Sequence, residues 1–230
     1  MHQFIGRAVL EYGISAVPLL VRNCKGDFPC QHGIGHGIVG ILGYTFSDLE
    51  KALALCKTLP DNNSVLACEG GALMEYNLRL MLNDLNDIRP LGDDWFAPCD
   101  RLSGDDARTC YFDQPTWWAA LWSRTRQIQT QESAFEPAFK HMADLCHSLS
   151  EKTFMYACTA GTGLSALLEA SPDQAVHLCD RMYPDADESL FCRATVALML
   201  REAASSSATI DTCQGLSDEA KINCMAYASG

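Results

Sequence analysis

The chain carries twelve cysteines, and in sequence they fall into six pairs. Cys56 and Cys68 stand twelve apart, as do Cys146 and Cys158. Cys99 and Cys110 are eleven apart, as are Cys213 and Cys224, while Cys179 and Cys192 are thirteen apart. Cys24 and Cys30 make a shorter sixth pair. The context recurs with the spacing: Cys-x-x-Leu or Cys-x-x-Met, a polar or proline-containing break, then the second cysteine. A unit that recurs in this way restricts the fold to copies of one supersecondary element. Regular, even-numbered cysteines read as a disulfide framework formed in an oxidising compartment. Zinc and iron–sulfur sites want closer spacing such as Cys-x-x-Cys, whereas no two cysteines here lie nearer than six residues. Cysteines lining one helix face, as copper storage would require, recur every three or four residues, and none do so here.

The residues around each pair have helical periodicity. Leu49, Ala52, Leu53 and Cys56 recur at helical spacing after Ser47, the expected N-cap, and the helix is expected to end near Leu59. Pro60-Asp61-Asn62-Asn63 is a turn, and a second helix starts about Ser64 with Val65, Cys68, Ala72 and Leu73 on one side. The same pattern predicts a helix over 136–149 and another from Ser150 through Cys158. It predicts a third opened by Ser171-Pro172 and a fourth starting at Asp187 or Ser189. Thr209 to Cys224 reads as a last hairpin. β-branched alternation is nearly absent. The expected fold is therefore all-α: a right-handed, solenoid-like array of antiparallel helical hairpins, each stapled by one disulfide. Its expected extent is a single repeat domain over 1–230, with a divergent His/Gly-rich unit over 1–43 and Cys-paired hairpins over 44–230.

The first cysteines from Cys56 to Cys213 lie 43, 47, 33 and 34 residues apart. This architecture, over roughly residues 44–228, resembles the disulfide-linked relatives of Sel1-like and tetratricopeptide repeats. The Trp-Leu-Gly-Tyr and Leu-Gly-x-x-Tyr signatures of those families are absent. The resemblance implies binding of a peptide or protein on a concave face.

A net charge of −12 argues against nonspecific nucleic-acid binding and against an anionic membrane surface. No run approaches the roughly 20 apolar residues of a transmembrane helix. Residues 1–25 lack a basic n-region, and Pro18 interrupts their apolar run, so no signal peptide is read there. A disulfide framework without a leader leads us to expect an extracytoplasmic chain, periplasmic or secreted, whose flanks are missing.

The N-terminal unit departs from the repeat. It reads Cys30-Gln31-His32-Gly33-Ile34-Gly35-His36-Gly37. Aligned on the second cysteine, His32 stands where Gly70, Ala160, Ala194 and Ala226 stand in other units. On a helix, His32 and His36 are four apart and share one face. Two imidazoles at that spacing can grip one divalent metal such as zinc, copper or iron. His2 and Glu69 are candidate further ligands, with Glu75 beside them, and Gly33, Gly37 and Gly40 leave room for a helix to approach. The segment, with its His2-x-x-x-Gly6-Arg7 start, is similar to uncharacterised secreted bacterial proteins. His-Glu-x-x-His is absent, so no general base stands between the ligands. The plainer reading is that the two histidines cap or pack a glycine-rich helix. A phosphate loop is excluded by the missing strand and the wrong glycine spacing.

All four tryptophans fall between residues 95 and 122. Trp117, Trp118 and Trp122 are either core filling or an aromatic patch for a peptide, glycan or partner helix. Two function classes follow. The leading one is a protein- or ligand-binding module anchored on these tryptophans. The alternative is a metal-binding protein or metalloenzyme centred on His32 and His36.

Overall fold

A computed structural model describes residues 2–25, 27–82, 94–125 and 131–203. The described residues are all-α, with ten α-helices and no strand. They divide into two compact units, residues 1–113 and 114–230.

In the first unit, α1 (His2–Tyr12) and a single 3-10 turn at Ile14–Ala16 lead into α2 (Val17–Cys24). Then come α3 (Phe28–Leu42), α4 (Phe46–Cys56) and α5 (Asn62–Leu82). A second 3-10 turn at Cys99–Arg101 precedes α6 (Gly104–Thr125), within which the boundary between the units falls. The second unit holds α7 (Gln131–His147), α8 (Lys152–Glu169), α9 (Pro172–Met182) and α10 (Ala186–Ala203).

Five disulfides join Cys24–Cys30, Cys56–Cys68, Cys99–Cys110, Cys146–Cys158 and Cys179–Cys192, with Cα atoms 5.4 to 5.6 Å apart. That separation is the ordinary one for a bridge. Three of them tie consecutive helices into hairpins: α4 to α5, α7 to α8 and α9 to α10. The third pair differs, because Cys99 sits on a single 3-10 turn rather than on a long first helix. The pair Cys213–Cys224 and its hairpin lie outside the described residues. So many buried disulfides fit an oxidising, extracytoplasmic compartment.

Helix starts follow side-chain capping. Thr45, not Ser47, caps α4: its side chain accepts from Asp48 N–H and the Asp48 carboxylate accepts from Thr45 N–H. Thr45 wins because its hydroxyl and the Asp48 carboxylate three residues on close a reciprocal box. α4 ends at Cys56 and α5 begins at Asn62, two residues before the expected Ser64, where Asp61 accepts from Ser64 N–H at 2.9 Å. Ser171 and Gln174 form a second box at α9, with Pro172 in its first turn. Helix α7 begins at Gln131, ahead of the helix expected over 136–149.

Helix α3 is buried nearly all round, through Cys30, Gln31, Gly33, Ile34, Gly35, Gly37, Ile38 and Val39. A helix without a polar face belongs between other helices, and α3 packs chiefly against α5 on one side and α1 on the other. The crossing with α5 is close. A Cβ on Gly35 would stand 1.9 Å from Cys68 O, and one on Gly71 would stand 1.9 Å from His32 O. On the α1 side, a Cβ on Gly37 would meet Val9 Cβ at 2.4 Å. In the second unit, α8 packs chiefly against α10, and a Cβ on Gly163 would stand 2.1 Å from Cys192 O. Gly35 and Gly163 each lie five residues after the second cysteine of their pair, and each meets the carbonyl of the next pair's second cysteine. The hairpin-to-hairpin junction is thus the same contact in both units.

Candidate histidine site on the first unit

Helix α3 sets the site. Asp27 Oδ1 accepts from Cys30 N–H at 2.8 Å and fixes the start of the helix, and the Cys24–Cys30 bridge holds that start to the end of α2. From there the backbone runs helically through both histidines, so His32 and His36 share one face. Their rings meet edge to face with centroids 5.0 Å apart, and Phe28 stacks on His32 at 5.9 Å.

Helix α5 supplies the partners. His36 Nδ1 lies 3.0 Å from Glu75 Oε2, and both side chains are 13% exposed. Tyr44 O–H donates to the other oxygen, Glu75 Oε1, at 3.2 Å. A carboxylate on Nδ1 fixes the proton there and makes Nε2 the lone-pair nitrogen. His32 Nε2 lies 3.5 Å from Met74 Sδ. The other edge of that ring faces Gly70. His32 Nδ1 and Asp113 Oδ2 both fall within 3.5 Å of the point where a Gly70 Cβ would stand. The absence of a side chain at Gly70 therefore lets a ring nitrogen and a carboxylate oxygen approach one spot.

Behind Gly70 the carboxyls are held in low dielectric. Burial, with a lesser contribution from the nearby Glu69, pushes the Asp113 carboxyl up to about 7. Burial pushes Glu69 up to about 7 as well, Asp106 adds to this, and Lys57 and the Thr109 hydroxyl oppose it. Thr109 O–H donates to Glu69 Oε2 at 3.4 Å. Deeper in the α3–α5 interface, Gln31 Nε2 donates to Ser64 Oγ at 2.6 Å, and Ser64 O–H donates to Asp61 Oδ2 at 2.6 Å.

Of the expected metal residues, the structure brings His32 and His36 together with Glu75. Glu69 instead faces Thr109 on α6. His2 opens α1, and its side chain lies outside the described residues. Among the described residues, no three His, Cys, Asp or Glu side chains come together in a geometry that could hold a metal ion. Met74, Tyr44 and Asp113 were not foreseen. Met74 has no local signal, because it meets His32 across 42 residues of sequence.

For two of the three tryptophans the core-filling reading holds. Trp117 is 7% exposed and Trp118 fully buried, so both are core. An indole buries more apolar area than any other side chain, and that area favours the interior. The Trp122 side chain lies outside the described residues. His147 pairs with Glu188 at 2.5 Å and meets the Tyr183 ring edge-on.

Comparison of the chain with protein-family models, with curated proteins and with solved structures finds no match.

Proposed function

We propose that the protein is a periplasmic or secreted, disulfide-braced helical repeat protein that binds a transition-metal ion at His32 and His36. The observation that carries this reading is the His36–Glu75 pair backed by Tyr44. A carboxylate on one imidazole nitrogen is the usual outer shell of a metal-binding histidine, because it orients the ring and raises the basicity of the other nitrogen. The ring of His32 lies beside it on the same helix face. The repeat places Gly70, Phe112, Ala160 and Ala194 at the position of His32 in other units, so these imidazoles are additions to the scaffold rather than part of it. The test is elemental analysis and metal titration of oxidised, untagged protein against His32→Ala/His36→Ala. Stoichiometric metal that the double variant loses supports the reading. Absence of any bound metal, with no thermal response to zinc, copper or iron, sinks it.

A second reading keeps the scaffold function, with a protein or peptide as partner. It is favoured by Phe4, Tyr12 and Leu19 on α1 and α2, whose side chains are 75%, 65% and 54% exposed. Large exposed apolar side chains on successive elements mark contact surfaces. No single helix among the described residues is long and apolar enough to cross a membrane, although α1 and α2 pass that test jointly across a 118° bend. Crosslinking from a photoreactive residue at position 12 tests the reading. Labelling of solvent alone, with no protein adduct from the native envelope, removes it.

A further inference from the structure

We infer that the site is selective for copper(I), with the Met74 thioether as a donor beside the imidazoles of His32 and His36. This rests on the metal-binding reading above and specifies its ion. The distance that points to it is 3.5 Å between His32 Nε2 and Met74 Sδ. A cation about 2.0 Å from an imidazole nitrogen and about 2.3 Å from a sulfur spans about that distance at a tetrahedral angle. The two donors therefore already stand at the separation a shared ion requires.

Glu75 holds the His36 proton on Nδ1. The Asp113 carboxyl lies on the Nδ1 side of His32, across Gly70. Glu75 on Nδ1 leaves Nε2 of His36 for coordination, and on His32 it is Nε2 that faces the Met74 sulfur. Coordination replaces the contact between His32 and Met74 by two bonds to the ion. The sulfur can only accept, so the contact is made by His32 Nε2–H, and coordination through Nε2 shifts that proton to Nδ1 on the Gly70 side of the ring; no electron is transferred.

The donor chemistry selects the ion. Thioether and imidazole together favour copper(I), whereas zinc takes thiolate, imidazole and carboxylate, and magnesium takes oxygen. A zinc site on these histidines would need a third such donor, and among the described residues no set of three assembles. Rigidity favours the arrangement. The donors sit on two helices pressed together at Gly35 and Gly71 and tied at their starts by Cys24–Cys30 and Cys56–Cys68. Held donors bind without paying for reorganisation.

The experiment titrates the oxidised, untagged protein with the copper(I) bicinchoninate complex, with ascorbate and no thiol present. The expected result is one copper(I) per chain withdrawn from the chelator. Met74→Leu conserves volume, so its circular dichroism and melting stay unchanged while copper(I) affinity falls by about tenfold or more. His32→Ala falls at least as far. X-ray absorption shows a sulfur scatterer at the copper in the wild type and none in Met74→Leu. Equal affinity in wild type and Met74→Leu overturns the thioether inference and leaves metal binding standing. Zinc or cobalt bound through the two histidines, with no withdrawal of copper(I), also overturns the inference alone. Failure to bind any of these ions overturns both.

Discussion

The crossing of α3 with α5 and the crossing of α8 with α10 are built on one plan and furnished differently. In both, a glycine five residues past a cysteine lets a helix settle on the carbonyl of the next hairpin's cysteine, at Gly35 on Cys68 and at Gly163 on Cys192. In both, the cysteines staple hairpins with nearly equal Cα separations. Around this shared contact, the first unit places His32, His36, Met74 and Glu75, with the raised carboxyls of Glu69 and Asp113 nearby. The second unit places Ala160 and Leu164 at the positions of the two histidines, and the Thr162 hydroxyl of α8 makes a buried hydrogen bond to Tyr183, at the end of α9, at 3.0 Å. The difference teaches that the scaffold contact and the chemistry are separable, because one recurs without the other.

The largest expected effect should strike both units alike. A bridge closing a loop of this size contributes about 3 kcal/mol in the chain-entropy account, and five together rival the roughly 5–15 kcal/mol net stability of a domain. Reduction should therefore lower the melting temperature by tens of degrees, about 20 °C or more, as followed by circular dichroism. Hydrogen exchange should show α5 and α10 deprotected together. If one unit kept its protection after reduction, the shared plan would not be what stabilises it.

Next come the glycines. Gly35→Ala and Gly163→Ala each drive a Cβ onto backbone, which cannot move aside as a side-chain tip can. Overpacking of this kind costs about 1–3 kcal/mol, and denaturant melts should show similar losses for the two. Gly40→Ala is the control. Its Cβ would meet only the Leu10 side chain, nearest at 2.8 Å. The gain of about 1 kcal/mol from removing a helical glycine should then offset most of the cost. Equal destabilisation at all three positions would break the argument that the cysteine carbonyl is the critical contact.

The third effect should separate the units. Glu69 and Asp113 have carboxyls raised from 4.5 and 3.8 to about 7 by burial. A carboxyl with a higher pKa folded than unfolded binds more protons in the folded state, so stability falls as pH rises between those limits. The first unit should therefore melt several degrees higher at about pH 5 than at about pH 8. Glu69→Gln should flatten that slope. An unchanged slope in Glu69→Gln/Asp113→Asn would show that these carboxyls titrate normally.

The smallest effect returns to what the units share. Thr45→Ala and Ser171→Ala each remove a capping box. Each should cost about 1 kcal/mol in chemical denaturation, with no change in metal binding.

Much of this was legible before any coordinates. The cysteine spacing, with apolar residues at 49, 52, 53 and 56, fixes helices and their pairing, because both depend on residues close in sequence. Cap positions were harder: Ser47 and Thr45 are both acceptable caps, and only the reach of the Asp48 carboxylate decides between them. The histidine pair was legible from its spacing of four. Its partners were less so, since Met74 and Tyr44 lie 42 and 8 residues from His32 and His36 respectively and have no local signature. The tryptophans show the opposite limit: composition marks Trp117 and Trp118 as large and apolar, but only packing says whether such rings end inside or outside.

The sequence by itself determined that the described residues are helical, that their cysteines pair in order, and that His32 and His36 share a face. These follow from periodicity and short loops, which act over a few residues. Tertiary structure alone decided that α3 lies between α1 and α5, that Gly35, Gly70 and Gly71 bring backbones and side chains into close approach, and that His36 meets Glu75 while His32 meets Met74. Those contacts join residues some forty positions apart. They exist because a helix without a polar face has to be covered on both sides.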